Sequence, residues 1–135
     1  MTDERLILAI NPGGTSTKVG LFRETELVFE ENIRHLPDEL AEFDSTFDQH
    51  DFRRKIILRI LGEAGYSPKE LSAVVGRGGA FKPLESGTYE VNEALVEAIK
   101  EGSTLQADHP SNLGALLAHG IADTAGVKPY IVDPV

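Results

Sequence analysis

The opening of this chain constrains its fold most. An unbroken apolar run, Leu6-Ile-Leu-Ala-Ile10, stops at Asn11-Pro-Gly-Gly14, and two more segments of strand character follow directly. A short apolar run closed by turn residues is the pattern of a strand buried on both faces. Thr15 to Phe22 alternates loosely as a second strand. Glu24 to Arg34 carries Leu27, Phe29 and Ile33 at period-two spacing after a tight turn, giving a third. Three consecutive strands argue for an antiparallel meander.

Helical signals come later. Pro37 to His50 is acidic and aperiodic, a loop with one helical turn at most. Ile56, Ile57, Ile60, Leu61 and Ala64 mark one face of a helix stopped by Gly65. Ser67-Pro68-Lys69-Glu70 offers an N-cap, a proline at the first helical position and a capping-box glutamate. Ala73-Val-Val75 reads as a short buried strand ending in Gly76-Arg77-Gly78-Gly79, and Thr88 to Val91 as strand-like. Asn92 caps a helix with Leu95, Val96 and Ile99, closed by Gly102. Pro110 opens another, with Leu113, Leu116, Leu117 and Ile121 on one face and Gly126 at its end. Tyr130-Ile-Val132 is a last strand, running into Asp133. A meander followed by strands joined through helices predicts an α/β domain: a mixed sheet with helices on its faces. This is the ribonuclease-H-like arrangement shared by actin and the sugar kinases. No internal repeat or low-complexity linker interrupts it, and 135 residues suit one domain.

Composition closes several routes. With no cysteine, neither a disulfide framework nor a thiolate metal site is possible. No apolar run approaches membrane-spanning length, and the N-terminus lacks a signal-peptide pattern, so a cytoplasmic protein without a membrane partner is expected. A net charge of -9 disfavours nucleic acid as a partner. Arg53-Arg54-Lys55, the one basic cluster, reads as the solvated face of a helix. A phosphorylated small molecule stays compatible, because local N–H groups and one or two cations can hold it whatever the net charge.

Four places carry candidate chemistry. In Asn11-Pro-Gly-Gly-Thr-Ser-Thr-Lys18, glycines allow backbone N–H groups to approach an anion, hydroxyls add donors and lysine a point charge. The spacing is not that of a P-loop, and a plain β-turn with a solvent-facing lysine is the ordinary alternative. Arg77 stands between glycines at a strand end, where a guanidinium fork takes carboxylate or phosphoryl oxygens and the glycines leave room for the ligand; otherwise it pairs with a neighbouring acid. His109 precedes the helix-opening Pro110, where anions are favoured and a histidine can donate to a phosphoryl group; a capping or packing role is the alternative. Asp133 follows an apolar strand, suited to orient substrate or hold Mg²⁺ through water, or simply to form a turn before Pro134. His35, His50 and His119 lack such contexts and read as structural or exposed.

Together these motifs resemble one family. NPGGTSTK, VVGRGG, GTYEVNE, HPSNLGALLAHGIA and IVDP stand in the order and approximate spacing of the butyrate kinases, relatives of acetate kinase in the superfamily of sugar kinases, actin and heat-shock chaperones. The resemblance runs from Leu6 to Val135. It implies that Asn11, Gly13, Ser16 and Lys18 contact nucleotide phosphates. It implies that Arg77 binds the carboxylate and the moving phosphoryl group, that His109 stabilises the transition state, and that Asp133 lies near the acyl group and metal. No metal ligand is assigned. The family's usual PGST reads Pro-Gly-Gly-Thr here, so Gly14 removes one hydroxyl donor. Family members are also more than twice this long, which implies an N-terminal ribonuclease-H-like domain over residues 1–135 of a two-domain carboxylate kinase, without its nucleotide-base-binding domain.

The reaction so implied is reversible phosphoryl transfer from Mg-ATP to a short-chain carboxylate, giving acyl phosphate and ADP. No general base is needed, since the carboxylate is ionised at neutral pH. The full-length protein is expected to be a homo-oligomer and the isolated chain to be inactive. A ribonuclease-H-like nuclease is disfavoured, because the first strand ends in Asn11 where metal-binding carboxylates would be required. A non-catalytic half-kinase, serving as a binding or assembly module, is the remaining alternative.

Overall fold

A computed structural model describes residues 5–44, 47–77, 88–91 and 113–132. The meander forms as expected: β1 (Leu6–Pro12) pairs antiparallel with β2 (Ser16–Arg23), and β2 with β3 (Glu26–Arg34). β4 (Ala73–Arg77) lies parallel to β1, β6 (Lys128–Val132) parallel to β4, and β5 (Thr88–Glu90) antiparallel to β6. The result is a six-stranded mixed sheet in the order β3-β2-β1-β4-β6-β5.

Alternation along the strands separates its two faces. Leu8, Ile10, Val19, Leu21, Val74 and Ile131 are buried in one core with Ile57, Ile60 and Leu61 of α2 (His50–Glu63) and Leu113, Leu117 and Ile121 of the helix Leu113–Ala125. That helix is α3 here; α1 is a single turn, Pro37–Leu40, within the acidic segment. The opposite side chains of β1, β2 and β4 (Ile7, Ala9, Asn11, Lys18, Val75 and Arg77) are half-buried or exposed. β1 is therefore buried fully on one face only, which corrects the reading of Leu6–Ile10 as covered on both.

Glycines end both long helices as the sequence suggested. Gly65 (φ 92°) and Gly126 (φ 75°) take the left-handed conformation that a Cβ disfavours. Three expectations need correction. Ser67–Glu70 makes its capping box, with Ser67 N–H donating to Glu70 Oε2 at 2.8 Å, but continues only as a 3-10 turn, Pro68–Glu70. Leu27 is 48% exposed, because β3 shifts register opposite Leu21 and Phe22 and so breaks the simple two-residue period. Arg53 leaves the solvated face assigned to it and is wholly buried. The helices proposed to start at Asn92 and Pro110 fall wholly or at their start outside the described residues.

Candidate functional site

The polar end of the uncovered face begins with pairing geometry. Asn11 and Lys18 are direct cross-strand partners in β1 and β2. Parallel pairing sets Ile10 beside Gly76, bringing Arg77 level with Asn11 across β1 and β4. The three residues line one open cleft of about 360 Å³, floored by Ala9, Gly20, Phe22 and Val75. Gly13 and Ser16 lie in the β1–β2 turn at its end, where Gly13 N–H donates to the Ser16 carbonyl at 2.8 Å. His109 and Asp133 lie outside the described residues.

Glu30 of β3 also borders the cleft, with a carboxylate oxygen 3.5 Å from Lys18 Nζ and both side chains about half-exposed. Such a pair contributes at most about 1 kcal/mol, so an incoming anion can take over Lys18 at little cost.

The turn itself is anchored from beneath by two residues that the sequence gives no part in the site: Arg53, expected on a solvated helix face, and His35, expected to be structural or exposed. Arg53 Nη1 donates to the carbonyls of Gly13 (2.7 Å) and Ser16 (3.0 Å), and Nη2 to that of Gly14 (3.1 Å). The Thr15 carbonyl accepts from His35 N–H at 2.9 Å. Every carbonyl from Gly13 to Ser16 is thus held from the protein side. Gly14 and Thr15 are exposed residues, and their amides meet no backbone acceptor among the described residues. Neither Gly13 nor Gly14 takes a left-handed φ, so the turn does not need glycine there for its backbone conformation. Spacing could have exposed Arg53: it stands four residues before Ile57 and continues the buried stripe Ile57, Ile60, Leu61 down the same helix face.

Burial lowers the Arg53 pKa to about 10. His35, also buried, is pushed below the ordinary histidine value, first by desolvation and then by the charge of Arg53. Thr17 links the two: its hydroxyl oxygen lies 3.3 Å from Arg53 Nη1, which donates to it, and 2.8 Å from His35 Nε2. With the ring neutral, its tautomer sets which of the two, Thr17 hydroxyl or His35 Nε2, donates.

Gly76 departs from expectation. The glycines flanking Arg77 were to leave room for ligand, yet a Cβ on Gly76 would meet the Gly114 backbone of α3 rather than the cleft. Its smallness serves helix packing. Gly78 and Gly79 lie outside the described residues.

A mixed sheet opening on an antiparallel meander, with a polar turn between β1 and β2 and a cleft at the β4 end, defines the actin-like ATPase fold class. Acetate kinases have it: the Porphyromonas gingivalis structure superposes with a TM-score of 0.58 at 16% identity, covering 95% of this chain and 37% of that one. The Entamoeba histolytica acetate kinase gives 0.60 at 18% identity, over 94% and 34% of the two chains. Within that class the chain is a homologue of the butyrate kinases. It is 46% identical over 129 residues to a probable butyrate kinase of Clostridium botulinum and to butyrate kinase 1 of Clostridium acetobutylicum, covering 96% of this chain and 36% of each relative. A probable butyrate kinase of Listeria monocytogenes matches at 45% over the same shares. No family model matches. The chain thus spans about 36% of the length of the curated relatives it matches.

Proposed function

We propose that this chain is the N-terminal, ribonuclease-H-like domain of a carboxylate kinase, contributing the phosphate loop and acyl side of a site that transfers the γ-phosphoryl of ATP reversibly to a short-chain, butyrate-like acid. The observation that carries the reading is the meeting of Asn11, Lys18 and Arg77 in one cleft beside a turn whose Gly14 and Thr15 amides meet no backbone acceptor among the described residues. Asn11, Gly13, Ser16 and Lys18 hold phosphates, while Arg77 binds the carboxylate and the moving phosphoryl oxygens by its fork. The apolar floor at Ala9, Phe22 and Val75 suits a short alkyl chain.

The other two residues are carried by chain path. Asp133 directly follows Val132, the register partner of Arg77. His109 precedes Leu113 by four residues, a span of at most about 14 Å, and the next residue of α3, Gly114, packs on the Arg77 backbone. In this reading His109 donates to the phosphoryl oxygens and Asp133 orients the acyl group. Mg²⁺, when bound with the nucleotide, would supply charge neutralisation at the phosphates. The loop amides and Lys18 fit phosphate oxygens; among the described residues no cluster of three acidic or histidine side chains is ready to hold the metal by itself.

Amide spectra of the labelled chain titrated with butyryl phosphate test the proposal. Gly14, Thr15, Lys18 and Arg77 should shift together. Shifts confined to the helix-covered face, or none at millimolar ligand, would overturn it.

A further inference from the structure

Arg53 is a fully buried cation whose partners among the described residues are all neutral. Its guanidinium donates to five oxygens: the Gln49 side-chain oxygen (3.1 Å from Nε, 2.7 Å from Nη2), the carbonyls of Gly13, Gly14 and Ser16, and the Thr17 hydroxyl. Among the described residues no carboxylate pairs with it. Burying an ion without a counter-charge is costly even when its hydrogen bonds are made. Such a group at 0% exposure is rare unless something compensates it. Gln49, the N-cap residue of α2, stands four residues before Arg53, and the first turns of that helix pass beneath the β1–β2 turn.

The side on which compensation can arrive is set by the hydrogen bonds. Arg53 and His35 N–H draw the four carbonyls of residues 13–16 toward the protein, leaving the amides of Gly14 and Thr15 for an acceptor from solvent. A phosphate seated on those amides lies one backbone layer from the guanidinium, in surroundings less polarisable than water, where the attraction is felt.

We propose that Arg53 is the positioning residue of the phosphate loop and its built-in counter-charge: it fixes the turn with its amides presented to an anion, and the bound phosphate supplies the negative charge that no described residue gives this cation. The inference rests on reading the β1–β2 turn as a phosphate site, and it adds a residue that touches neither substrate nor metal.

Two variants separate geometry from charge. Arg53→Lys keeps the charge but loses the fork. Gln49→Glu keeps the size and shape of the Gln49 side chain while placing a carboxylate against Arg53. Each is compared with the wild-type chain by amide spectra without ligand and by titration with inorganic pyrophosphate. In a folded Arg53→Lys chain, shown by unchanged Leu61 and Val74 signals, the Gly14 and Thr15 amides should shift or broaden and pyrophosphate affinity should fall about tenfold. Gln49→Glu should leave the ligand-free loop signals in place yet weaken pyrophosphate severalfold, because the counter-charge is already present. Should Arg53→Lys fail to fold, Gln49→Glu still decides. Wild-type binding of pyrophosphate with unaltered affinity in Gln49→Glu, or in a folded Arg53→Lys chain whose loop signals do not move, overturns the proposal. A wild-type chain that binds no pyrophosphate overturns the phosphate-loop reading itself, and with it the counter-charge.

Discussion

Gly76 of β4 and Gly114 of α3 meet backbone to backbone. A Cβ built on Gly76 would come within 2.1 Å of the Gly114 carbonyl oxygen, and one on Gly114 within 2.1 Å of the Arg77 carbonyl oxygen. Neither clash can be relieved by a side-chain rotation, since both obstacles are main chain. Gly76→Ala or Gly114→Ala must therefore push α3 off the strand that carries Arg77. Each should cost about 3 kcal/mol or more in urea unfolding, at or beyond the usual range for overpacking. Gly62→Ala in α2 is the control, because its new methyl meets nothing within 4 Å. It should stabilise by about 0.5–1 kcal/mol through helix propensity. Equal effects at the three glycines would refute the close crossing.

His35 gives the fold a pH dependence whose sign follows from its surroundings. Its folded pKa lies below the unfolded value of 6.5, through desolvation and then the Arg53 charge. The unfolded chain thus binds more protons between the two values, and stability falls as pH drops below about 6.5 toward the folded pKa. Protonation would also place a second cation beside Arg53, with the Thr17 hydroxyl between the two. The melting temperature should decline on acidification from pH 7 through 6, and His35→Gln should flatten that part of the profile. A wild-type curve that stays level or rises over this interval contradicts the assignment.

Lys18 and Glu30 make a third prediction. Glu30 competes with any anion for the ammonium group, 3.5 Å away. Glu30→Gln should raise pyrophosphate affinity by at most about fivefold, the equivalent of an exposed pair's ~1 kcal/mol. Lys18→Ala should lower that affinity further than Glu30→Gln raises it. Calorimetric titration reads both, and a weaker-binding Glu30→Gln chain would show that the carboxylate helps to hold the ligand.

What the sequence disclosed follows from which forces act locally. Turn chemistry at Asn11–Gly14, helix stops at Gly65 and Gly126 and the apolar run of β1 all depend on near neighbours, so the meander and the element order were legible. So was the meeting of Asn11, Lys18 and Arg77, because each sits at a strand end and pairing register does the rest. Arg53 was misread because charge in a helix head ordinarily means solvent. Its spacing to Ile57 places it on the buried stripe, but the carbonyls that receive it lie 37 to 40 residues away, where no local pattern points. Gly76 was misread for the same reason: its partner Gly114 comes from a helix 38 residues later. The register shift at Leu21 and Phe22, which leaves Leu27 half-exposed, is likewise a property of the strand pair.

The last prediction concerns activity of the 135-residue chain by itself. It should fold, since both long helices close one continuous core over the sheet. It should nevertheless produce no butyryl phosphate. Phosphoryl transfer depends on positioning and on charge neutralisation in a site closed to water. In this chain Lys18 is half-exposed and Arg77 exposed, so both interact with ligand in surroundings where charge attraction is weak and salt-screened. Closure over such a cleft requires a second body, and the chain spans about 36% of the butyrate kinases it matches. Purified chain with butyrate, Mg-ATP and hydroxylamine tests this by trapping acyl phosphate as hydroxamate. Product at the background level of the Arg77→Ala variant is expected. Product well above it, lost on Arg77→Ala, would show that the phosphate loop and Arg77 suffice for turnover without a second body.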